Sequence, residues 1–381
     1  MRRGRATIAT HSTREVASLS EPLAPPLTLS SAYRFRDLDT LVDAYQGRKS
    51  PWSFYRRFGH ANGRLLEETV AALEGSEDAL ACGSGMAAVT TIFSTLAGKG
   101  DRVVAARELY GGTYAFLQKH LPRLGTDVVL VPLDRLVDDV RRNGAKVVAI
   151  ETISNPLIQV ADLSAVAKAC RAARATLVVD NTFATPFLCR PIEWGADVVF
   201  HSATKFLNGH GDATGGVICA PAGIVRRMRG FASGLGTTIA PLDAWLTLRG
   251  LKTLQLRVER ASRSAERLAA LLGRHRKVAS VNYPRATKYL KPLRGPMLSF
   301  DLKGGLAAAK RFVRACRLIE LVPSLGDVTT TSTHPARSSH AYLSPADRAA
   351  LGVTDGLIRI STGIEDVEDI LSDLDQALAK S

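Results

Sequence analysis

His201-Ser202-Ala203-Thr204-Lys205-Phe206-Leu207-Asn208-Gly209-His210-Gly211 follows directly on the apolar run Ala196-Asp197-Val198-Val199-Phe200. The run reads as a buried strand, and the Gly/Asn-rich segment beyond it as a loop. Lys205 therefore stands just past a strand end, with the hydroxyls of Ser202 and Thr204 beside it. A lysine kept neutral by its surroundings is a nucleophile that forms a Schiff base with a carbonyl. The neighbouring hydroxyls suit a phosphate. Taken by itself, one lysine among 50 Lys+Arg is a solvated loop residue. The surrounding sequence overturns that reading.

Upstream lies a second apolar run, Thr176-Leu177-Val178-Val179-Asp180-Asn181-Thr182, which ends in a carboxylate. An aspartate at the end of a buried strand is costly unless a cation meets it. A protonated pyridine nitrogen is such a cation. An Asp for a ring nitrogen and a Lys for an aldehyde carbon together describe a site for pyridoxal 5'-phosphate (PLP).

Outward from this pair the pattern repeats. Strands are expected at 78–82, 101–106, 128–131 and 147–150, and helices at 64–73, 83–96 and 164–173. Such alternation implies an α/β fold with a mainly parallel sheet covered on both faces, its ligands at the strand C-terminal ends. Gly83-Ser84-Gly85-Met86-Ala87-Ala88 joins a strand to a helix through small residues. Upstream of the Asp and the Lys it reads as a phosphate cup, with backbone contacts from Gly85 and Met86. A long helix is expected at 241–272, followed by a smaller α/β unit with strands at 278–281 and 297–302 and a helix at 306–316. Residues 1–50 are rich in Pro, Ser and Thr and read as an extended arm. Residues 51–249 form the cofactor domain and 250–381 a C-terminal domain.

Val179-Asp180-Asn181-Thr182-Phe183-Ala184-Thr185-Pro186, with His201-Ser202-Ala203-Thr204-Lys205 after it, resembles the cysteine/methionine-metabolism family of PLP enzymes. The resemblance extends from about residue 25 to the C-terminus. It implies the aminotransferase-like fold type I and PLP as cofactor. It implies a catalytic set of Lys205, Tyr110 and Asp180, with Tyr110 stacked on the cofactor ring. Asn155, in Glu151-Thr152-Ile153-Ser154-Asn155-Pro156, is implied to meet the ring hydroxyl oxygen. Thr182, Ser202 and Thr204 complete the set on the cofactor's side. Tyr55 and Arg57, in Phe54-Tyr55-Arg56-Arg57-Phe58-Gly59-His60, are implied to reach the cofactor phosphate of a neighbouring subunit. The family usually continues Asn-Pro-Thr where this chain has His60-Ala61-Asn62, so a different turn is expected there. Ser324, in the Ser-Leu-Gly loop, and Arg359, in Arg-x-Ser-x-Gly-x-Glu, are implied to hold the substrate α-carboxylate. Arg359 interrupts an apolar strand, which in itself favours an anionic ligand. The resemblance also implies a homotetramer, built as a dimer of dimers.

Composition limits the other function classes. The chain has 381 residues, 46% hydrophobic and 23% charged, as a globular protein does. No apolar run is long enough to span a bilayer, and the basic start lacks an apolar signal segment, so a cytoplasmic protein is expected. The net charge is +14, but the basic residues are dispersed. That favours anionic small molecules, with no nucleic-acid or membrane partner. The five cysteines and eight histidines show no ligand spacing, so neither a disulfide framework nor a metal site is expected.

The expected reaction is γ-elimination on a sulfur amino acid, methionine or cystathionine, to 2-oxobutanoate, ammonia and a thiol. The alternative is γ-replacement on an O-acylhomoserine, as in sulfhydrylases and cystathionine γ-synthase. Pro323 stands where cystathionine-handling members often carry Glu. Gly112 stands where methionine γ-lyases typically carry Cys. Gly211 matches the methionine γ-lyase loop. A non-catalytic binding protein is disfavoured by Lys205, Asp180, Tyr110 and Arg359 occurring together.

Overall fold

Short runs of Val, Ile, Leu and Ala become buried strands here because helices cover both faces of the sheet that they form. The structure, a computed structural model, describes residues 22–46, 51–341 and 343–381. Its large sheet has seven strands: β1 (Asp78–Cys82), β2 (Arg102–Ala106), β3 (Asp127–Val131), β4 (Val147–Glu151), β5 (Thr176–Asp180), β6 (Val198–Ser202) and β7 (Gly216–Ala220). Their spatial order is β1-β7-β6-β5-β4-β2-β3, and only β7 runs against the others. Every residue of β4 is buried, as a doubly covered strand requires. Two-sided burial of Val147, Val148 and Ile150 stabilises the centre by about 1.5–3 kcal/mol per side chain.

A second sheet is made of β8 (Val278–Asn282), β9 (Met297–Leu302), β10 (Glu320–Leu321), β11 (Thr331–Thr333) and β12 (Leu357–Ser361), in the order β10-β11-β12-β9-β8. It packs its own apolar core, with Phe300, Phe312 and Leu374 fully buried. The fold class expected from the sequence is the one observed. Among the described residues, no helix is long and apolar enough to cross a membrane.

Five local expectations are corrected. Strand β7 was not anticipated, because its five residues follow a Gly-rich loop that reads as continuing. Its pairing carries β6 on through His201 and Ser202 (His201↔Val217, Ser202↔Gly216), so Ser202 closes the strand instead of lying in the loop. Part of the expected N-terminal arm is helical: Leu38–Tyr45 forms a helix whose Asp37 cap accepts from Thr40 N at 2.7 Å. Residues 1–21 and 47–50 of that arm lie outside the described residues. The helix expected at 64–73 starts earlier, at Ala61, because His60 caps it. The His60 Nδ1 accepts from Gly63 N at 3.1 Å, and Nε2 meets Ile239 O at 3.1 Å. Burial holds the His60 pKa below its ordinary value, so the ring is the neutral form that this bonding needs.

The expected long helix is two helices, Pro241–Leu251 and Leu254–Leu272. The ladder breaks at the Gly250 carbonyl. That oxygen accepts from Arg257 Nη2 at 2.8 Å and from Thr253 N at 3.2 Å. Arg257 also donates to Phe206 O at 2.8 Å, fastening the break to the loop that carries Lys205. Gly250 itself touches that loop: a Cβ there would lie 2.1 Å from Asn208 O. Gly250→Ala should therefore cost about 1–3 kcal/mol, despite alanine's better helix propensity, and lower Tm by several degrees. Thermal melts of the two proteins check this. An unchanged Tm would mean that the loop yields freely.

Candidate active site

The strand ends of the large sheet supply one wall of a cavity of about 710 Å³, and the loops and β12 of the small sheet supply the other. Gly85, Met86, Tyr110, Asn155, Asp180, Thr182, Ser202, Thr204, Lys205, Ser324 and Arg359 all line it. These are eleven of the thirteen residues that the sequence nominates. Tyr55 and Arg57 do not line it. Tyr55 is 43% exposed, and Arg57 donates to Ser233 O at 2.6 Å.

At one end of the cavity, helix Gly85–Leu96 begins with Ser84 as its cap, whose Oγ accepts from Ala87 N at 3.0 Å. The first amides of a helix have no carbonyl one turn back to bond. Gly85 brings them against β6: a Cβ at Gly85 would lie 2.8 Å from Ser202 Cβ and Oγ. Only glycine allows that approach. Thr204 Oγ1 exchanges hydrogen bonds with Gly215, accepting from its N at 3.1 Å. Amides at a helix start and the Ser202 hydroxyl thus converge, with Thr204 free to join them by giving up its bond to Gly215 O, which is a donor set that suits a phosphate.

Asp180 ends β5. Its Oδ1 accepts from Thr182 N at 2.9 Å and from Thr182 Oγ1 at 2.5 Å, which leaves Oδ2 as the oxygen available to the cavity. Thr182 Oγ1 also accepts from Ser202 N at 2.9 Å. Burial raises the Asp180 pKa, and the Thr182 hydrogen bonds and His201 oppose that rise. Glu151 ends β4 in register with Asp180. Burial, and then the Asp180 charge, raise its pKa, and the N–H groups of Tyr110 and Asn155 and the Arg359 charge oppose that rise. A buried and a half-buried carboxylate on one cavity wall call for a cation there, as a protonated ring nitrogen would be. With the glycine cradle at the phosphate end, this makes the residues present a fit for PLP.

Lys205 N bonds back to Ser202 O at 3.1 Å, so the chain turns immediately after β6. Its Nζ donates to Ser324 Oγ at 2.7 Å. Burial and the nearby Arg359 charge lower the Lys205 pKa to about 8. Gly326 packs on the same turn; a Cβ there would lie 2.6 Å from Phe206 N, and its φ is +81°. The Ser324-Leu325-Gly326 loop thus holds the lysine from the small-sheet side. Arg359 lies in β12 and is 4% exposed. It donates to Asn155 Oδ1 at 2.9 Å and to Ser324 O at 3.1 Å, and its buried Nε has no partner. Burial brings its pKa down to about 10. A buried guanidinium with a spare donor invites an anion. Asn155 spends its carbonyl oxygen on Arg359, which leaves its NH2 as a donor.

Sequence reading passed over Glu151. The signal was the one that found Asp180: a carboxylate ending a five-residue apolar strand. Among the described residues, no cluster of His, Cys, Asp or Glu is disposed to hold a metal.

A family model for the Cys/Met metabolism PLP-dependent enzymes matches residues 6–379. The chain is 37% identical to L-methionine gamma-lyase of Pseudomonas putida, over 99% of this chain and 98% of that protein. It is 38% identical to O-succinylhomoserine sulfhydrylase of Pseudomonas aeruginosa, over 93% and 90%. The crystal structure of cystathionine gamma synthase from Xanthomonas oryzae pv. oryzae in complex with cystathionine aligns with a TM-score of 0.89 at 36% identity, covering 94% of this chain and 93% of that one.

Proposed function

This chain belongs to the Cys/Met metabolism PLP-dependent enzymes, and we propose that within them it is a γ-lyase of a sulfur amino acid. Methionine or cystathionine would be cleaved with water to 2-oxobutanoate, ammonia and a thiol. PLP is the cofactor of the family. Gly85, Met86, Ser202 and Thr204 would hold its phosphate, Asp180 and Thr182 its ring nitrogen, Asn155 its ring hydroxyl, and Tyr110 its face. Bound there, PLP supplies an electron sink for the pair left at the substrate's Cα.

Arg359 and Ser324 bind the substrate α-carboxylate and fix its orientation. Lys205 takes the Cα proton, and its lowered pKa leaves a large neutral fraction near pH 8. Tyr110 and Lys205 carry protons between Cβ and the departing sulfur. Tyr55 and Arg57, which lie outside their own chain's cavity, are assigned to the cofactor phosphate of a partner subunit in a homotetramer.

One observation carries the choice of substrate. The charged side chains lining the cavity are Glu151, Asp180, Lys205 and Arg359. Glu151 already accepts two backbone N–H groups, and the other three have tasks at the cofactor or the α-carboxylate. Among the described residues lining the cavity, no carboxylate is left for the distal ammonium of cystathionine, and Pro323 lines the wall where a Glu could have served. Met86, Val89, Ile153 and Leu325 make much of the rest apolar. This supports methionine, or a similar small thioether, ahead of cystathionine.

Gly112 favours the second reading, γ-replacement on an O-acylhomoserine. A side chain there would meet Tyr110 Cε1 at 2.6 Å and Met86 Sδ at 2.9 Å, so the space a methionine γ-lyase cysteine would use is filled. Incubation of the holoenzyme with methionine, cystathionine and O-acetylhomoserine, each with and without sulfide, separates the two. Ketoacid and methanethiol from methionine alone are expected. Homocysteine formed only from the acylated homoserine and sulfide would install the transferase instead.

A further inference from the structure

Glu151 is a charged residue of the cavity wall to which the proposed reaction gives no task. It is 7% exposed, at the last position of β4, beside Asp180. A buried carboxylate next to another one is costly, so its retention calls for a reason. Its two oxygens are used separately. Oε1 accepts from Tyr110 N at 2.5 Å, and Oε2 accepts from Asn155 N at 3.0 Å. Tyr110 follows β2 and Asn155 follows β4, so one carboxylate ties together two loops that border the cavity. From Asn155 the connection continues: Oδ1 accepts from Arg359 Nη1 at 2.9 Å, and Arg359 Nη2 donates to Ser324 O at 3.1 Å. Ser324 Oγ in turn accepts from Lys205 Nζ at 2.7 Å.

We propose that Glu151 is a positioning residue that sets the Arg359 guanidinium, through Asn155, for the substrate α-carboxylate, and that fixes Tyr110 over the same site. This rests on the reading that Arg359 binds that carboxylate. The chemistry demands a carboxylate with both oxygens free to accept. A glutamine in its place offers one accepting oxygen and an NH2, so it satisfies Tyr110 N or Asn155 N but repels the other. The defect then passes to Arg359, which loses a fixed partner within the small-sheet wall.

The probe is L-norleucine, which has the carboxylate and shape of methionine but no γ-substituent to lose. Its Kd for the holoenzyme is read from the change in visible absorbance, alongside kcat and KM for the best substrate and Tm. Glu151→Gln should weaken norleucine binding about tenfold and raise KM by a similar factor, with the cofactor still bound. In an Arg359→Lys background the same change should add less than about threefold, because both act on one contact. A Kd within about twofold of wild type overturns the proposal, as do effects that multiply. A lowered Tm with unchanged Kd also overturns it, making Glu151 a structural residue only. Should Glu151→Gln not fold, Asn155→Ala breaks the relay one step later and is judged by the same Kd criterion. If Arg359→Lys itself leaves norleucine binding unchanged, the carboxylate reading fails and the proposal falls with it; if only Glu151→Gln is silent, that reading stands.

Discussion

Lys205→Ala lowers turnover by about a thousandfold or more, and Lys205→Arg does not restore it. In the proposed reaction the lysine acts both as nucleophile toward an aldehyde and as base at Cα, and removing a positioned base alone costs about 10²–10⁴-fold. An arginine keeps the positive charge but stays protonated at any working pH, so it can do neither. The structure adds a pH signature. With the Lys205 pKa lowered to about 8, the reactive neutral amine grows as pH rises through that value. Below it, the neutral fraction falls about tenfold per pH unit. Cofactor uptake by the wild-type apoprotein, followed by visible absorbance, should accelerate with pH and level off above about 8. Uptake equally fast at pH 6 and pH 9 would show that the cavity does not lower this amine's pKa.

Arg359→Lys reduces kcat/KM by two to three orders of magnitude, about 3–4 kcal/mol, chiefly through KM. The substitution keeps the charge and loses the fork. Arg359 Nη1 and Nη2 are already spent on Asn155 Oδ1 and Ser324 O, and they hold the group so that its remaining donors are fixed in direction. A lysine ammonium cannot engage both partners and still present a planar pair of donors to a carboxylate. Steady-state kinetics on the best substrate checks the split. A fall confined to kcat would move Arg359 from substrate binding to the chemical step.

The strands of the large sheet were legible because two-sided burial writes them as unbroken apolar runs, and β4 and β5 end where such runs end. Strand β7 was hidden by the glycines before it. The break after Leu251 was hidden for a different reason: it depends on Arg257 reaching the Gly250 carbonyl, a contact that local propensity does not encode. At the site, the nominated residues carried by a strand end or by the turn after it line one cavity. Tyr55 and Arg57, nominated from a motif, do not line this cavity. Glu151 was not legible in the same way, because no cation in the sequence pairs with it. Its own partners are main-chain amides, which every sequence has.

Ser324 and Arg359 lie more than a hundred residues beyond Lys205 in the chain, although all three face one cavity. During synthesis at about 5–20 residues per second, roughly 8–30 s separate the making of Lys205 from that of Arg359. Throughout that interval the nascent chain carries Lys205 and the proposed phosphate cup without the guanidinium assigned above to the substrate carboxylate. A growing polypeptide could thus meet the cofactor before it can recognise a substrate. Recognition of a substrate would have to wait until β12 takes its place beside β9 and β11.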